Sequence, residues 1–392
     1  MNYTYRPPVE GLSRRRALAQ VAAGGLAAAV APHLAFAGTQ RRQILLYIGS
    51  HAPQVSGALL DPASGRITGL GKLAGLERPT WAVRHPTRDL VYYADETGND
   101  GERSGSVATF AFDRASGALA PQGKIETGGG GTTHLCLDAP SRTMFTANYG
   151  GGTVTSLPLA QDGKLLPPSA IVAHAGSGPN PRQKSPHPHG VTVDPSGHWV
   201  LAPDLGADRV FIHRLDRPRQ RLVTDARPKA LAVPPGSGPR HLVFAPSARF
   251  AYLSCELAAQ VLCLAWDARQ GVLSPIGKVE TSLPGFTGQR SVAELVLSAN
   301  GRFLYVSNRG EHVIVVYAID PAQGIPREVQ RLASGGEVPW HMALSPDERW
   351  LVVANMASNR VSVFARDPGS GRLVATPYTL DTPEPVYILP IA

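Results

Sequence analysis

The chain has 392 residues, 43% of them hydrophobic and 17% charged, with a formal net charge of +8. That apolar fraction is ample for a packed core and excludes a disordered chain, while 41 glycines and 35 prolines beside so few charges speak for many turns and few long solvated helices. The length admits two or three ordinary domains, although all-β barrels and propellers often run as one unit.

The N-terminus reads as a targeting segment. Ser13-Arg14-Arg15-Arg16-Ala17-Leu18 precedes an Ala/Gly-rich apolar run reaching Val30, and Ala35-Phe36-Ala37 supplies a small-x-small cleavage site. This is the pattern of a twin-arginine export signal over residues 1–37, followed by a short linker, 38–42. The apolar run is too short and too weakly hydrophobic for a spanning helix, so the mature protein is expected in the periplasm with no stable membrane insertion. Residues 1–37 hold four of the 38 basic residues and one of the 30 acidic ones, which leaves 34 against 29, a mature net charge of +5. The remaining basic residues are scattered, as from Arg217 to Arg227, in the manner of a solvated face. No nucleic-acid partner is expected.

Three cysteines, Cys136, Cys255 and Cys263, have no metal spacing and form no even disulfide framework. If the Ala258-Ala259-Gln260 turn closes a hairpin, Cys255 and Cys263 lie opposite each other, and an oxidising compartment could join them. Buried free thiols in strands are the plainer reading.

From Gln43 onward the chain repeats. Copies begin near Pro79, Thr132, Pro188, Pro239, Val292, Pro339 and Pro385, a period of roughly 46 to 55 residues with several short strands per copy, the signature of propeller blades. An apolar strand leads to a turn such as Asp194-Pro195-Ser196-Gly197 or Ser345-Pro346-Asp347-Glu348. An aromatic-rich strand follows (Phe303-Leu304-Tyr305-Val306), then a third (Val313 to Tyr317), and a turn such as Asp113 to Gly117 leads into the fourth. The last copy stops after its first strand, Pro385 to Leu389, and the first copy, opening at Ile44 to Ile48, lacks one. Joining them completes a blade and leaves no open edge. The expected fold is all-β, a single seven-bladed β-propeller over 43–392, closed by pairing of its N- and C-terminal strands.

Stacking the copies gives rings of varying polar residues. Trp81, His134, Gly190, His241, Glu294, His341 and Tyr387 are equivalent near the start of the inner strand, preceded by Thr80, Thr133, His189, Arg240, Ala293, Trp340 and Val386. Near the end of the second strand stand His51, Glu96, Tyr149, Leu205, Glu256, Arg309 and Met356. The residues just before these, including Asp95, Asn148, Asp204 and Asn308, are turn formers. Inner strands surround the central channel, so these rings aim histidines, arginines and carboxylates at one mouth. His187 and His189 are two apart, but spacing fixes no third ligand, and no metal or cofactor is expected. Neither a phosphate-binding glycine loop followed by Lys nor a Gly-x-Ser-x-Gly elbow is present.

On these residues the chain resembles the seven-bladed β-propeller lactonases, typified by the propeller form of 6-phosphogluconolactonase and including a carboxymuconate cyclase branch. The motifs that carry the resemblance are Gly236-Ser237-Gly238-Pro239-Arg240-His241 with Tyr252 and Glu256; Gly301-Arg302-Phe303-Leu304-Tyr305-Val306-Ser307-Asn308-Arg309; and Pro188-His189-Gly190 with Asp204-Leu205-Gly206. The resemblance places function on His189, Arg240, His241, Glu256 and Arg309. It departs in two places. Glu294-Leu295-Val296 keeps the family's acid but lacks a following His, and Pro339-Trp340-His341 has Trp where the family usually has Arg. Losing an Arg from the mouth weakens the case for a doubly charged phosphate substrate.

Lactone hydrolysis needs an activated water and a stabilised oxyanion. Glu256 or His241 is the expected base, with Arg240 and Arg309 as anion-stabilising groups. His189, His134, Glu294, His341 and Glu96 are the expected substrate-binding residues. The implied partner is a small-molecule lactone or sugar acid, acted on by a monomer. A non-catalytic binding propeller and a muconate-type cyclase or isomerase use the same inventory and stand as alternatives.

Overall fold

The computed structural model describes residues 43–224 and 229–391, so the segments expected at 1–37 and 38–42 lie outside the described residues. Seven antiparallel sheets follow one another among the described residues. Blade 1 takes its inner strand, Pro385–Ile391, from the C-terminus and its next three, Ile44–Ser50, Val55–Leu60 and Ile67–Ala74, from the N-terminal end. Tyr47 pairs with Leu389 and Leu45 with Ile391, so the two ends of the propeller meet in one ladder as the half-copies required.

Blades 2, 3, 5, 6 and 7 open on inner strands Pro79–Arg84, Thr132–Asp138, Pro239–Phe244, Val292–Leu297 and Pro339–Leu344. Each begins at the residue where the repeat begins. Blade 4 differs. Its inner strand shrinks to Thr192–Val193, and Pro188 joins Asp204 through an isolated bridge. Pro186 and Pro188 remove two ladder donors there, which explains the short pairing. Residues 174–191, between the outer strand Ala170–Ala173 and this inner strand, form a long connection.

Apolar side chains of neighbouring blades interleave to make the core. Between blades 5 and 6, Tyr252, Val261, Cys263, Leu295, Leu304, Val306 and Val315 are buried together. An aromatic at the start of a second strand lies against the glycine of the next blade's outer turn. Trp350 of blade 7 covers Gly65 of blade 1, where a Cβ would come within 2.4 Å of the indole, and φ is +76°. Phe303 of blade 6 covers Gly371 of blade 7 in the same way, and Tyr305 donates to the Gly371 carbonyl at 2.9 Å. Only glycine meets both the left-handed backbone and the aromatic face.

Free thiols, the plainer reading of the cysteines, hold, and only the facing placement of Cys255 and Cys263 is corrected. The turn of the blade 5 hairpin spans Glu256 to Ala259, so Cys255 pairs with Gln260 and Cys263 with Tyr252. The two thiols are therefore not opposite each other, and all three cysteines are free. Burial raises the thiol pKa of both Cys255 and Cys263, as fits apolar strand positions. No helix among the described residues is long and apolar enough to cross a membrane.

Candidate active site

The inner strands do not start regularly. The ladder slips between Pro239 and Leu242, Val292 and Leu295, Pro339 and His341, Pro79 and Trp81, and Thr132 and His134. These bulges contain the varying ring positions, and a bulge re-aims side chains away from the regular alternation. The backbone groups freed in this way find partners on the second strand. His241 N–H donates to Ser254 Oγ at 3.1 Å, and Glu294 N–H to Ser307 Oγ at 2.9 Å. Second-strand ends are tied down by their turn formers. Asp204 accepts from the backbone of His187 and Ala207, and Asn308 from that of Gly310 and Glu311.

Two carboxylates organise the mouth. Glu256, 2% exposed, is met by three guanidinium groups. Arg182 Nη1 donates to Oε1, Arg309 Nη2 lies 2.9 Å from Oε1, and Arg240 Nε lies 3.2 Å from Oε2. His189 Nε2 stands 4.0 Å from Oε2. Burial alone raises the carboxyl pKa, but Arg309, Arg182 and Arg240 outweigh it and hold Glu256 at about 2. Burial, then repulsion from Arg309, brings Arg240 down to about 10, so it stays charged at neutral pH.

The second carboxylate, Glu294, accepts from the Leu295 backbone N–H at 3.0 Å through Oε1. His241 Nδ1 lies 3.2 Å from the same oxygen, and His341 Nε2 lies 3.6 Å from Oε2. Arg240 Nη1 lies 3.1 Å from the same Nδ1 and 3.4 Å from Nε2, so the ring meets Glu294 and Arg240 together; the tautomer that donates Nδ1–H to Glu294 leaves the Nε2 lone pair on the Arg240 side. His341 Nδ1 accepts from the Ile388 backbone N–H at 3.2 Å, which fixes its proton on Nε2, toward Glu294. Burial, more than any neighbouring charge, pushes His134, His189 and His241 well below their ordinary value and His341 down to about 4. These imidazoles are neutral at pH 7, and a neutral imidazole can accept a proton.

A narrow pocket opens at this mouth, with Trp81, Glu96, His189, Arg240, His241, Glu294, Trp340 and His341 among its walls. His134 stands behind this wall, its ring 4.0 Å from Trp81 and 4.8 Å from His241. Glu96 accepts from Asn99 Nδ2 at 2.8 Å. The Trp340 indole lies against the Arg309 guanidinium at 4.3 Å and edge-on to His51 at 4.8 Å. Five buried polar atoms in this region, His189 Nδ1, Arg240 Nε, Glu256 Oε2, Glu294 Oε2 and Arg309 Nε, have no aligned hydrogen-bond partner among the described residues. Buried polar atoms left unpaired at one place are the mark of a site that pairs them with a ligand or water. No group of three or more His, Cys, Asp or Glu among the described residues is placed to hold a metal ion. His187 instead stacks on Tyr149 at 4.5 Å, and its Nδ1 meets the Tyr149 carbonyl.

All nine residues singled out in the sequence thus fall in or directly behind one mouth. Arg182 was not among them. It comes from the long 174–191 connection rather than from a repeat position, so alignment of the copies passes over it. The unusual length of that Gly/Pro-rich connection was the available signal.

The comparisons agree with this fold. The family model described as "Lactonase, 7-bladed beta-propeller" matches residues 44–390. A 6-phosphogluconolactonase of Bacillus subtilis strain 168 is 31% identical over 315 residues, 80% of this chain and 88% of that protein. Among solved structures, the periplasmic gluconolactonase of Pseudomonas aeruginosa superposes with a TM-score of 0.83 at 34% identity, covering 90% of this chain and 99% of its own. A Lactobacillus plantarum protein superposes with a TM-score of 0.83 at 28% identity, covering 90% of this chain and 100% of its own. The chain belongs to the seven-bladed β-propeller lactonase family.

Proposed function

We propose that this protein hydrolyses the ester bond of carbohydrate lactones, as a monomer exported to the periplasm. The observation that carries the reading is the neutral His241 held by Glu294 at 3.2 Å beside the Arg240 guanidinium. In this reading a water attacks the lactone carbonyl carbon and gives its proton to His241 Nε2. Glu294 orients the imidazole and stabilises the imidazolium that forms. Arg240 and Arg309 face the carbonyl oxygen as it becomes an oxyanion, and the carboxylate of Glu256 keeps both guanidiniums aligned. The tetrahedral species then breaks its bond to the ring oxygen, which leaves as a hydroxyl after taking the proton back. The product is the open hydroxy acid. His189, His134, His341 and Glu96 hold or shape the substrate.

Three guanidiniums hold Glu256 as an ionised carboxylate, whereas the neutral His241 ring is part of the pocket wall, which favours His241 over Glu256 as the proton acceptor. The names of the relatives favour an aldonolactone, and the Pseudomonas neighbour, called periplasmic, matches the export pattern of residues 1–37. Incubating the purified mature protein with a panel of aldonolactones while following acid release tests the reading. Release above the spontaneous rate supports it, and none across the panel favours a binding propeller.

A further inference from the structure

Arg182 differs from the other two arginines on Glu256. Its side chain is 45% exposed where the carboxylate is 2% exposed, so it is the solvent-side cover of a buried anion. The turn that carries it is built to hold it there. Gln183, fully buried, donates through Nε2 to the Leu205 carbonyl at 2.8 Å and accepts through Oε1 from Asn180 N–H at 3.0 Å. Asn180 Oδ1 accepts from the Arg182 backbone N–H at 3.0 Å. Arg182 Nη2 donates to Tyr149 Oη at 3.1 Å, which fixes the second arm of the fork. Tyr149 is blade 3's counterpart of Glu256 in the ring of second-strand ends.

The consequence lies in which carboxylate oxygen remains available. Oε1 is taken by Arg182 and Arg309, whereas Oε2 is buried with no aligned donor, next to Arg240 Nε and His189. A carboxylate oxygen presented in this way accepts a hydrogen bond from a hydroxyl, and hydroxyls are what distinguish a sugar lactone from a plain cyclic ester. We infer that Arg182 is a positioning residue of the hydrolase site: by occupying Oε1 it turns Oε2 of Glu256 toward a ring hydroxyl of the substrate and so selects polyhydroxylated lactones. The inference rests on the proposed lactonase reading.

Charge adds a second readout. The groups facing Glu256 are Arg182 from the connection, Arg240 from the inner strand of blade 5, Arg309 from blade 6 and His189 from blade 4, with Tyr149 and His241 nearby. Arg182 contributes both charge and a hydrogen bond to keeping the carboxyl ionised. Without it, Glu256 takes up a proton at higher pH, and Oε2 then ceases to be a pure acceptor.

The test compares wild type, Arg182→Gln, Arg182→Lys and Tyr149→Phe on glucono-δ-lactone and on δ-valerolactone, which has no ring hydroxyls. Where δ-valerolactone is not turned over, it is measured as a competitive inhibitor. The expected result for Arg182→Gln is a KM for glucono-δ-lactone raised roughly 10- to 100-fold, the scale of one charge-assisted hydrogen bond. KM or Ki for δ-valerolactone stays within about twofold, and the acid limb of kcat/KM moves up by about one pH unit or more. Arg182→Lys restores part of the loss, and Tyr149→Phe falls between. Equal losses on both compounds with an unmoved acid limb overturn the inference and leave the lactonase reading intact. No hydrolysis of either compound by wild type overturns both. Melting temperatures separate a folding defect from these outcomes.

Discussion

His241 of blade 5 and Glu294 of blade 6 meet across the blade boundary at 3.2 Å, both nearly shielded from solvent. They occupy the same position in successive copies of the repeat, so the ring brings side chains 53 residues apart into one pair. A bulge at the start of each inner strand makes the meeting possible. The chemistry proposed for this mouth and the closure of the propeller make separate predictions.

Closure predicts that the last strand is indispensable. Val386, Tyr387, Ile388 and Ile391 are all buried, and Tyr387 Oη donates to the Ala82 carbonyl at 2.6 Å in blade 2. Burying such side chains stabilises by about 1.5–3 kcal/mol each, so losing four removes about 6–12 kcal/mol, comparable to the whole stability of many domains. A chain ending at Pro383 should show no cooperative thermal transition. An unchanged melting temperature contradicts closure.

Acid should destabilise the fold. Burial first, then Arg78 and Arg309, lower His51 to about 3, and burial lowers His213 to about 3 and His341 to about 4. Unfolded, these groups bind protons near 6.5. The unfolded state therefore binds more protons below that pH, and stability is lost from about pH 6.5 down toward 4 and below. Glu256, near 2 when folded, adds a loss that starts below about 4.5. Melting temperature should fall steadily from pH 7 to pH 4, whereas kcat/KM should show no acid limb at the ordinary histidine value. A flat melting profile contradicts the buried neutral histidines.

Trp340 covers one face of Arg309 and stands in the pocket wall. A phosphate dianion would need that guanidinium uncovered or a further cation. Trp340→Arg should raise kcat/KM on 6-phosphoglucono-δ-lactone relative to glucono-δ-lactone by about tenfold. An unchanged ratio removes Trp340 from the specificity argument.

Export is tested on the arginine run itself. Replacing Arg14, Arg15 and Arg16 together with Lys should leave unprocessed protein in the cytoplasm, read by fractionation and the mass of the chain. Normal processing contradicts a twin-arginine signal.

The fold was legible because a propeller writes each blade in the same words. The residues where the copies begin are the first residues of six inner strands, and the seventh, near Pro188, is reduced to a bridge by its prolines. The mouth was legible for the same reason, since repeat positions that change from copy to copy stand out against those that do not. What repetition could not reveal was what lies outside it. Arg182 sits in a connection peculiar to blade 4, and only the fold brings it over Glu256. Hairpin register was misplaced at Cys255 and Cys263 because a turn beginning at Glu256 shifts every later pairing. The meeting of three guanidiniums on Glu256 also needed three dimensions, since they come from distant parts of the chain.

The most direct measurement is kcat/KM on glucono-δ-lactone for wild type, His241→Asn, Glu294→Gln and Arg309→Lys, beside the melting temperature of each. Removing the base should cost about 10²–10⁴-fold, the usual contribution of general acid–base catalysis. Arg309→Lys should cost about 10²–10³-fold, as for loss of one oxyanion donor, because an ammonium cannot reproduce the guanidinium fork. Glu294→Gln should fall in the same direction as His241→Asn, and the double variant should be little worse than His241→Asn alone, because the two residues act as one unit. Folded variants that all keep wild-type kcat/KM would contradict the proposed site.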